Sequence, residues 1–211
     1  PLDETKSAVD NAKKYFDKYA KLKRTFEALN IQIAETKEEI EHLESISNSL
    51  DIARQDSDLT AIKRELSDCG YIKKHHEKNK GSKNTGKSKP LHYISSDGFD
   101  MYVGKNNYQN DDLTFKVATG NDWWFHAKAS AGSHVIVKTE GKELPDRTFE
   151  EAARLAAHYS KACEQGKAEI DYIQKKHIKK PNGSKPGFVV YYTNYSMTIS
   201  TDITGIQEVT E

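Results

Sequence analysis

The sequence predicts an α+β protein: a long helical coiled-coil arm over residues 1–70, a basic flexible linker over 71–90, and an α+β domain with a largely antiparallel sheet over 91–211. Three observations carry this. After Pro1 neither Gly nor Pro occurs until Gly70, whereas both punctuate the chain beyond it. The hydrophobic period changes from about 3.5 in the arm to about 2 from Leu91 onward. Charge divides at the same places, with 11 basic and 15 acidic side chains in residues 1–69, 7 and 1 in 70–92, and 14 and 16 in 93–211. A formal net charge of zero therefore hides a basic centre.

The arm is justified by a seam. From Tyr15 the core positions run through Tyr19, Leu22, Phe26, Leu29, Ile33, Thr36, Ile40, Leu43, Ser47 and Leu50, nine of eleven being apolar or aromatic. At 1.5 Å per residue such a helix is roughly 54 Å long, and its one-sided stripe needs a partner. Polar residues 48–57 interrupt the pattern. Leu59, Ile62 and Leu66 resume it in a short helix that begins near Asp56 or Ser57 and stops at Gly70. About three turns cannot cover five heptads, so the partner is a second copy or a helix from a missing N-terminal part.

Residues 73–90 hold seven Lys and no aliphatic side chain, so they form no core and read as a tether or an electrostatic arm for phosphate. No apolar run approaches the roughly 18 residues that span a bilayer. Cys69 and Cys163 are too few for a disulfide framework and fit a reduced, cytoplasmic setting. Pro1 in place of an initiator Met, with no signal-like segment, predicts a piece of a longer chain.

In the C-terminal domain, residues 92–95 and 99–103 flank Asp97-Gly98 and predict a hairpin. Further strands are expected at 122–127, 134–138, 169–174, 188–193 and 195–200. One strong helix lies between them, with Thr148 and Glu151 as a capping box, an alanine-rich face over 152–162, and Gly166 as its end. A weaker helix is expected over 110–117.

Residues with binding chemistry follow from these elements. Gly104-Lys105-Asn106-Asn107 leaves a strand and offers a cation and two amides to phosphate, without the spacing of a nucleotide-hydrolysis loop; a simple turn is the more common explanation. In residues 122–128, alternation sets Trp123, Phe125 and Ala127 against Trp124, His126 and Lys128. The second set combines an aromatic ring with two cationic or hydrogen-bonding groups, as base stacking beside a phosphate requires, and core packing of both Trp stays open. Lys175, Lys176, Lys179, Lys180 and Lys185 gather around Pro181-Asn182-Gly183 as a solvated loop or a backbone-tracking patch. Ser133 with His126 or His134 and Asp122 lacks a nucleophile elbow, so hydrolase chemistry is not expected. Neither His75, His76 and Cys69 nor His126 and His134 make a metal set, and no cofactor is implied.

Together, residues 11–16 (Asn-Ala-Lys-Lys-Tyr-Phe), 38–44, Asp97-Gly98-Phe99, residues 103–107, 122–128, Gly132-Ser133-His134 and Lys179-Lys180-Pro181 resemble the middle coiled coil and the NFACT-R domain of the RqcH/NEMF family. Bacterial members are also called fibronectin-binding or FbpA/PavA-like proteins. The resemblance covers nearly the whole chain. It implies a non-enzymatic ribosome quality-control factor that binds large ribosomal subunits carrying stalled nascent chains and recruits tRNA for untemplated alanine tailing. It also implies that the N-terminal domain and helix-hairpin-helix region are absent here. Carried over by motif, the RNA-facing set is Lys105, Asn106, Asn107, Trp124, His126, Lys128 and His134, joined by the five lysines above. The older family name gives the alternative, a surface adhesin for host fibronectin or fibrinogen, with a fraction of the protein displayed on the cell surface.

Overall fold

A computed structural model describes residues 1–73 and 88–210. The basic linker read at 71–90, with His75 and His76, lies mostly outside the described residues. Contacts divide the chain into two compact units, residues 1–42 and 43–211, so the expected boundary at residue 70 falls inside the second.

Helix α1 spans Ala8–Ile52. Ser7 starts it: its Oγ accepts from the Asp10 amide at 3.1 Å, capping the first turn, and donates to the Asp10 carboxylate at 2.6 Å. Tyr15, Tyr19, Leu22, Phe26, Leu29, Ile33, Ile40, Leu43 and Leu50 are all exposed. The long helix is present, and its apolar seam meets no covering helix among the described residues.

The second unit begins with the last turns of α1, where Ile46, Asn48 and Ser49 are buried. The polar break read at 48–57 is therefore partly an interface: Asn48 Nδ2 donates to the Tyr159 carbonyl at 3.3 Å. Helix α2, Asp56–Asp68, buries Asp58, Ile62 and Glu65.

Seven strands make one sheet in the order β6-β5-β3-β4-β2-β1-β7, with every pairing antiparallel. They are β1 (Leu91–Ile94), β2 (Asp100–Val103), β3 (Trp123–Ala127), β4 (Val135–Val137), β5 (Lys167–Gln174), β6 (Tyr195–Ser200) and β7 (Gln207–Glu208). The hairpin forms as expected, pairing Leu91 with Val103, and Gly98 takes φ 83° in its turn.

Both faces of the sheet are covered. Helix α4, Asp146–His158, packs its alanines on one face with Phe125, Ala127, Val135 and Val137. On the other face Trp124, Ile136 and Ile173 lie under Leu113, Ala118 and Ile178, with Phe115, Val189 and Tyr191 around them. Helix α3, Asn107–Asp112, and a π-helical turn, Leu113–Val117, supply part of this second cover in place of the expected helix at 110–117.

Three expectations are corrected. Thr148 and Glu151 do not cap α4; Thr148 Oγ1 bonds Asp97 at 2.8 Å and the Glu151 carboxylate accepts from the Ser96 amide at 2.8 Å, so both hold the β1–β2 turn. Helix α4 ends at His158, and Gly166, at φ 72°, closes a later 3-10 turn over Lys161–Gln165. Residues 188–193 form no strand, because β6 already occupies the free side of β5; only Lys179 bridges Val190, while Val189 and Tyr191 lie over Trp124.

Candidate nucleic-acid interface

Gly104-Lys105-Asn106-Asn107 turns inward, and all three side chains are buried. Lys105 Nζ pairs with Asp58 at 2.6 Å. The same carboxylate accepts from the Arg54 amide at 2.9 Å and the Gln55 amide at 3.2 Å, and bonds Ser88 Oγ. Burial alone would raise the Asp58 carboxyl; the bonds from Lys105, Ser88 and the Arg54 amide outweigh it and hold the group below its ordinary value. Asn106 caps α3 by accepting from the Gln109 amide at 3.0 Å. Asn107 Nδ2 donates to Ser45 Oγ and to Glu65 Oε1, each at 2.7 Å. A Cβ on Gly104 would sit 2.1 Å from Asn110 Oδ1 and 3.0 Å from the Asn110 amide nitrogen, so no side chain fits there. These residues bind the α1–α2 corner to the sheet. As phosphate donors they are corrected: all three side chains are buried, and Lys105 Nζ and Asn107 Nδ2 are spent inside the fold.

Trp124 is fully buried and offers no open face for a base. Its ring lies 5.6 Å from that of His126, 5.1 Å from that of His134 and 5.3 Å from that of Tyr191. Desolvation in this aromatic cluster pushes the His126 pKa down to about 4 and that of the buried His134 well below its ordinary value. Both imidazoles are thus neutral near pH 7 and supply no charge to a phosphate. His134 Nδ1 lies 2.8 Å from Thr114 Oγ1, which ties the π-helical turn to the sheet. Asp122 is used up by the Thr119 and Thr139 amides, at 2.7 and 2.9 Å, and by Lys138, so it orients neither histidine. Among the described residues no group of three or more His, Cys, Asp or Glu could hold a metal.

The exposed cations gather elsewhere. Lys128 pairs with Glu169 at 2.6 Å beyond the end of β3. After β5 the chain makes a 3-10 turn, Lys175–His177, fixed where the Lys175 amide donates to Asp122 O at 2.9 Å and the Lys176 amide to Gly120 O at 3.0 Å. Lys175 and Lys180 then stand 5.8 and 5.9 Å from the centroid of the half-buried Phe115 ring, distances at which a cation is drawn to the π face. Lys180 also pairs with Asp111, and Lys116 with Asp112 at 2.6 Å. Lys175, Lys176 and Lys179 make no ion pair among the described residues. Lys185 lies apart from this group, 3.2 Å from the Tyr71 hydroxyl.

Of the expected RNA-facing residues, the structure therefore brings together Lys175, Lys176, Lys179 and Lys180, and withdraws Lys105, Asn106, Asn107, Trp124 and His134 into the interior. Phe115 was missed. Its signal was present as an aromatic beside Lys116 in the weak helical stretch, but only the fold carries it under Lys175 and Lys180. Mobile lysine tips around a ring can follow phosphate oxygens without reading base edges.

Residues 1–85 match the family model for NFACT N-terminal and middle domains, and residues 89–192 that for the NFACT protein RNA binding domain. The chain is 41% identical over 191 residues to the Rqc2 homolog RqcH of Streptococcus suis, covering 90% of this chain and 34% of that protein. It is 37% identical over 204 residues to the Bacillus subtilis protein of the same name, covering 96% and 35%. The chain thus spans about a third of the length of these curated relatives. A solved structure, the C-terminal part of the fibronectin/fibrinogen-binding protein from Streptococcus suis, superposes with a TM-score of 0.80 at 38% identity, covering 94% of this chain and 78% of that one. With two adjoining family models and relatives of this identity along nearly its whole length, the chain belongs to the RqcH family of NFACT proteins.

Proposed function

We propose that the chain is the RNA-binding part of a cytosolic ribosome quality-control factor, which holds obstructed large ribosomal subunits and recruits tRNA for alanine tailing of stalled nascent chains. The observation that carries this reading is the lysine turn at 175–180 set against Phe115, a cationic surface lying within the residues that match an RNA-binding domain. The chain performs no chemistry of its own; it binds, and bond formation belongs to the ribosome. The exposed seam of α1 is covered in the working protein by a second helix, from another copy or from the segment that precedes this one in its relatives.

Capture from cell lysate with and without nuclease tests the reading. The full-length protein is expected to retain large-subunit ribosomal RNA and tRNA, and to lose both after nuclease treatment. Retention of a matrix glycoprotein that nuclease leaves untouched, with no RNA recovered, would support an adhesin instead.

A further inference from the structure

Strand alternation that buries Trp124 turns its neighbour Trp123 to the opposite face, where it is half-buried. Its ring lies 5.9 Å from Tyr172 and 6.3 Å from Tyr195, and Tyr195, at the start of the edge strand β6, is 62% exposed. Trp123 and Tyr195 are shared by two cavities. One, of about 470 Å³, is also lined by Gln174, His177 and Asn194. The other, of about 530 Å³, carries Asp146 and Glu150 from the first turns of α4.

We propose that the cavity between Trp123, Tyr195, Gln174 and Asn194 receives an unpaired nucleobase of an RNA whose backbone follows the lysine turn. This deepens the RNA-binding reading and rests on it. Gln174 directly precedes Lys175, and His177 belongs to the turn itself, so the cavity and the free cations of Lys175, Lys176 and Lys179 adjoin in the chain. Gln174 and His177 flank Lys175 and Lys176 in the chain and line the cavity, so an RNA strand held at that turn would meet the cavity at its edge. Ring faces accept any base, and the side-chain amides of Gln174 and Asn194 offer both donors and acceptors to its edge. Asp146 and Glu150 repel phosphate at the far end, so only the lysine end suits the backbone. The site is sized for a base rather than an ion, within the volume range of small-molecule pockets.

The chain would be titrated with single-stranded oligoadenylate and with a fully paired RNA duplex of equal length, following tryptophan emission and anisotropy at several salt concentrations. Both RNAs are expected to bind with similar salt dependence, and only oligoadenylate to quench emission. Trp123→Phe should abolish the quench. Tyr195→Ala should weaken oligoadenylate binding about tenfold without changing duplex affinity or the salt slope, and Tyr195→Phe should restore it. Oligoadenylate bound at parent affinity by Tyr195→Ala, without quenching in the parent, would overturn the base site and leave RNA binding standing. An emission change produced by polylysine but not by oligoadenylate would mean that the aromatic and acidic cleft takes a basic peptide, again overturning it. Binding of neither RNA at low salt would overturn both.

Discussion

Asp58 gathers Lys105, Ser88 and two backbone amides around one buried carboxylate, at the corner where α1, α2 and the sheet meet. Removing one partner of a buried ion pair leaves an uncompensated charge, which costs roughly 3–5 kcal/mol. Lys105→Met should therefore lower the urea midpoint by a corresponding amount and leave RNA affinity of the folded fraction unchanged; lost affinity with parent stability would return Lys105 to the binding surface. The histidines make a pH prediction. Unfolded, His126 titrates near 6.5; folded, near 4, so between these values the unfolded chain binds the extra proton. Stability should be level above about pH 6.5 and fall as pH drops toward 4, by on the order of 3 kcal/mol from His126. Asp58 and Asp122, both held below 3.8, lose their contribution only at lower pH. Urea midpoints across that range check this, and a slope unchanged in His126→Phe would contradict it. None of this was legible in sequence, because Lys, Asn and His are ordinary surface residues until a distant carboxylate or a second sheet face closes over them.

At the scale of elements, the seam of α1 makes a prediction independent of the sheet. Nine large exposed apolar or aromatic seam residues on one helix favour association. The isolated chain should self-associate at micromolar concentration in sedimentation, and Leu29→Asp should abolish this; a monomer of equal helicity in both forms would contradict it. Elements with a local signal were readable. The Asp97-Gly98 hairpin and β6 over Tyr195–Ser200 appear where periodicity placed them, and the alanine-rich α4 forms but ends at His158. Those set by tertiary context were not. Thr148 and Glu151 carry a capping-box spacing, yet they serve the hairpin turn, and residues 188–193 carry strand composition, yet they form a cover because β6 holds the pairing edge. The two-residue β7 is too short for any periodic signal.

For the whole molecule, zero net charge is compatible with binding a polyanion because the cations are not spread evenly. Acidic side chains pair with Lys105, Lys116, Lys128, Lys138 and Lys180. Lys175, Lys176 and Lys179, which make no ion pair among the described residues, gather in the turn after β5, held by backbone bonds to residues 120 and 122 and by the Lys179–Val190 bridge. Of the candidate site, composition revealed the lysines and their clustering; it did not reveal which aromatic lies beside them, since Trp124 and Trp123 differ by one residue and by opposite faces of the sheet. Whether this turn supplies the grip on RNA is decided by tRNA anisotropy against salt concentration for the parent and for a chain with Lys175, Lys176, Lys179 and Lys180 all changed to Gln. Binding by the quadruple variant should be weaker, with a log-affinity against log-salt slope smaller in magnitude by roughly 3, as expected for the loss of about that many phosphate contacts. Parent affinity with an unchanged slope would contradict it.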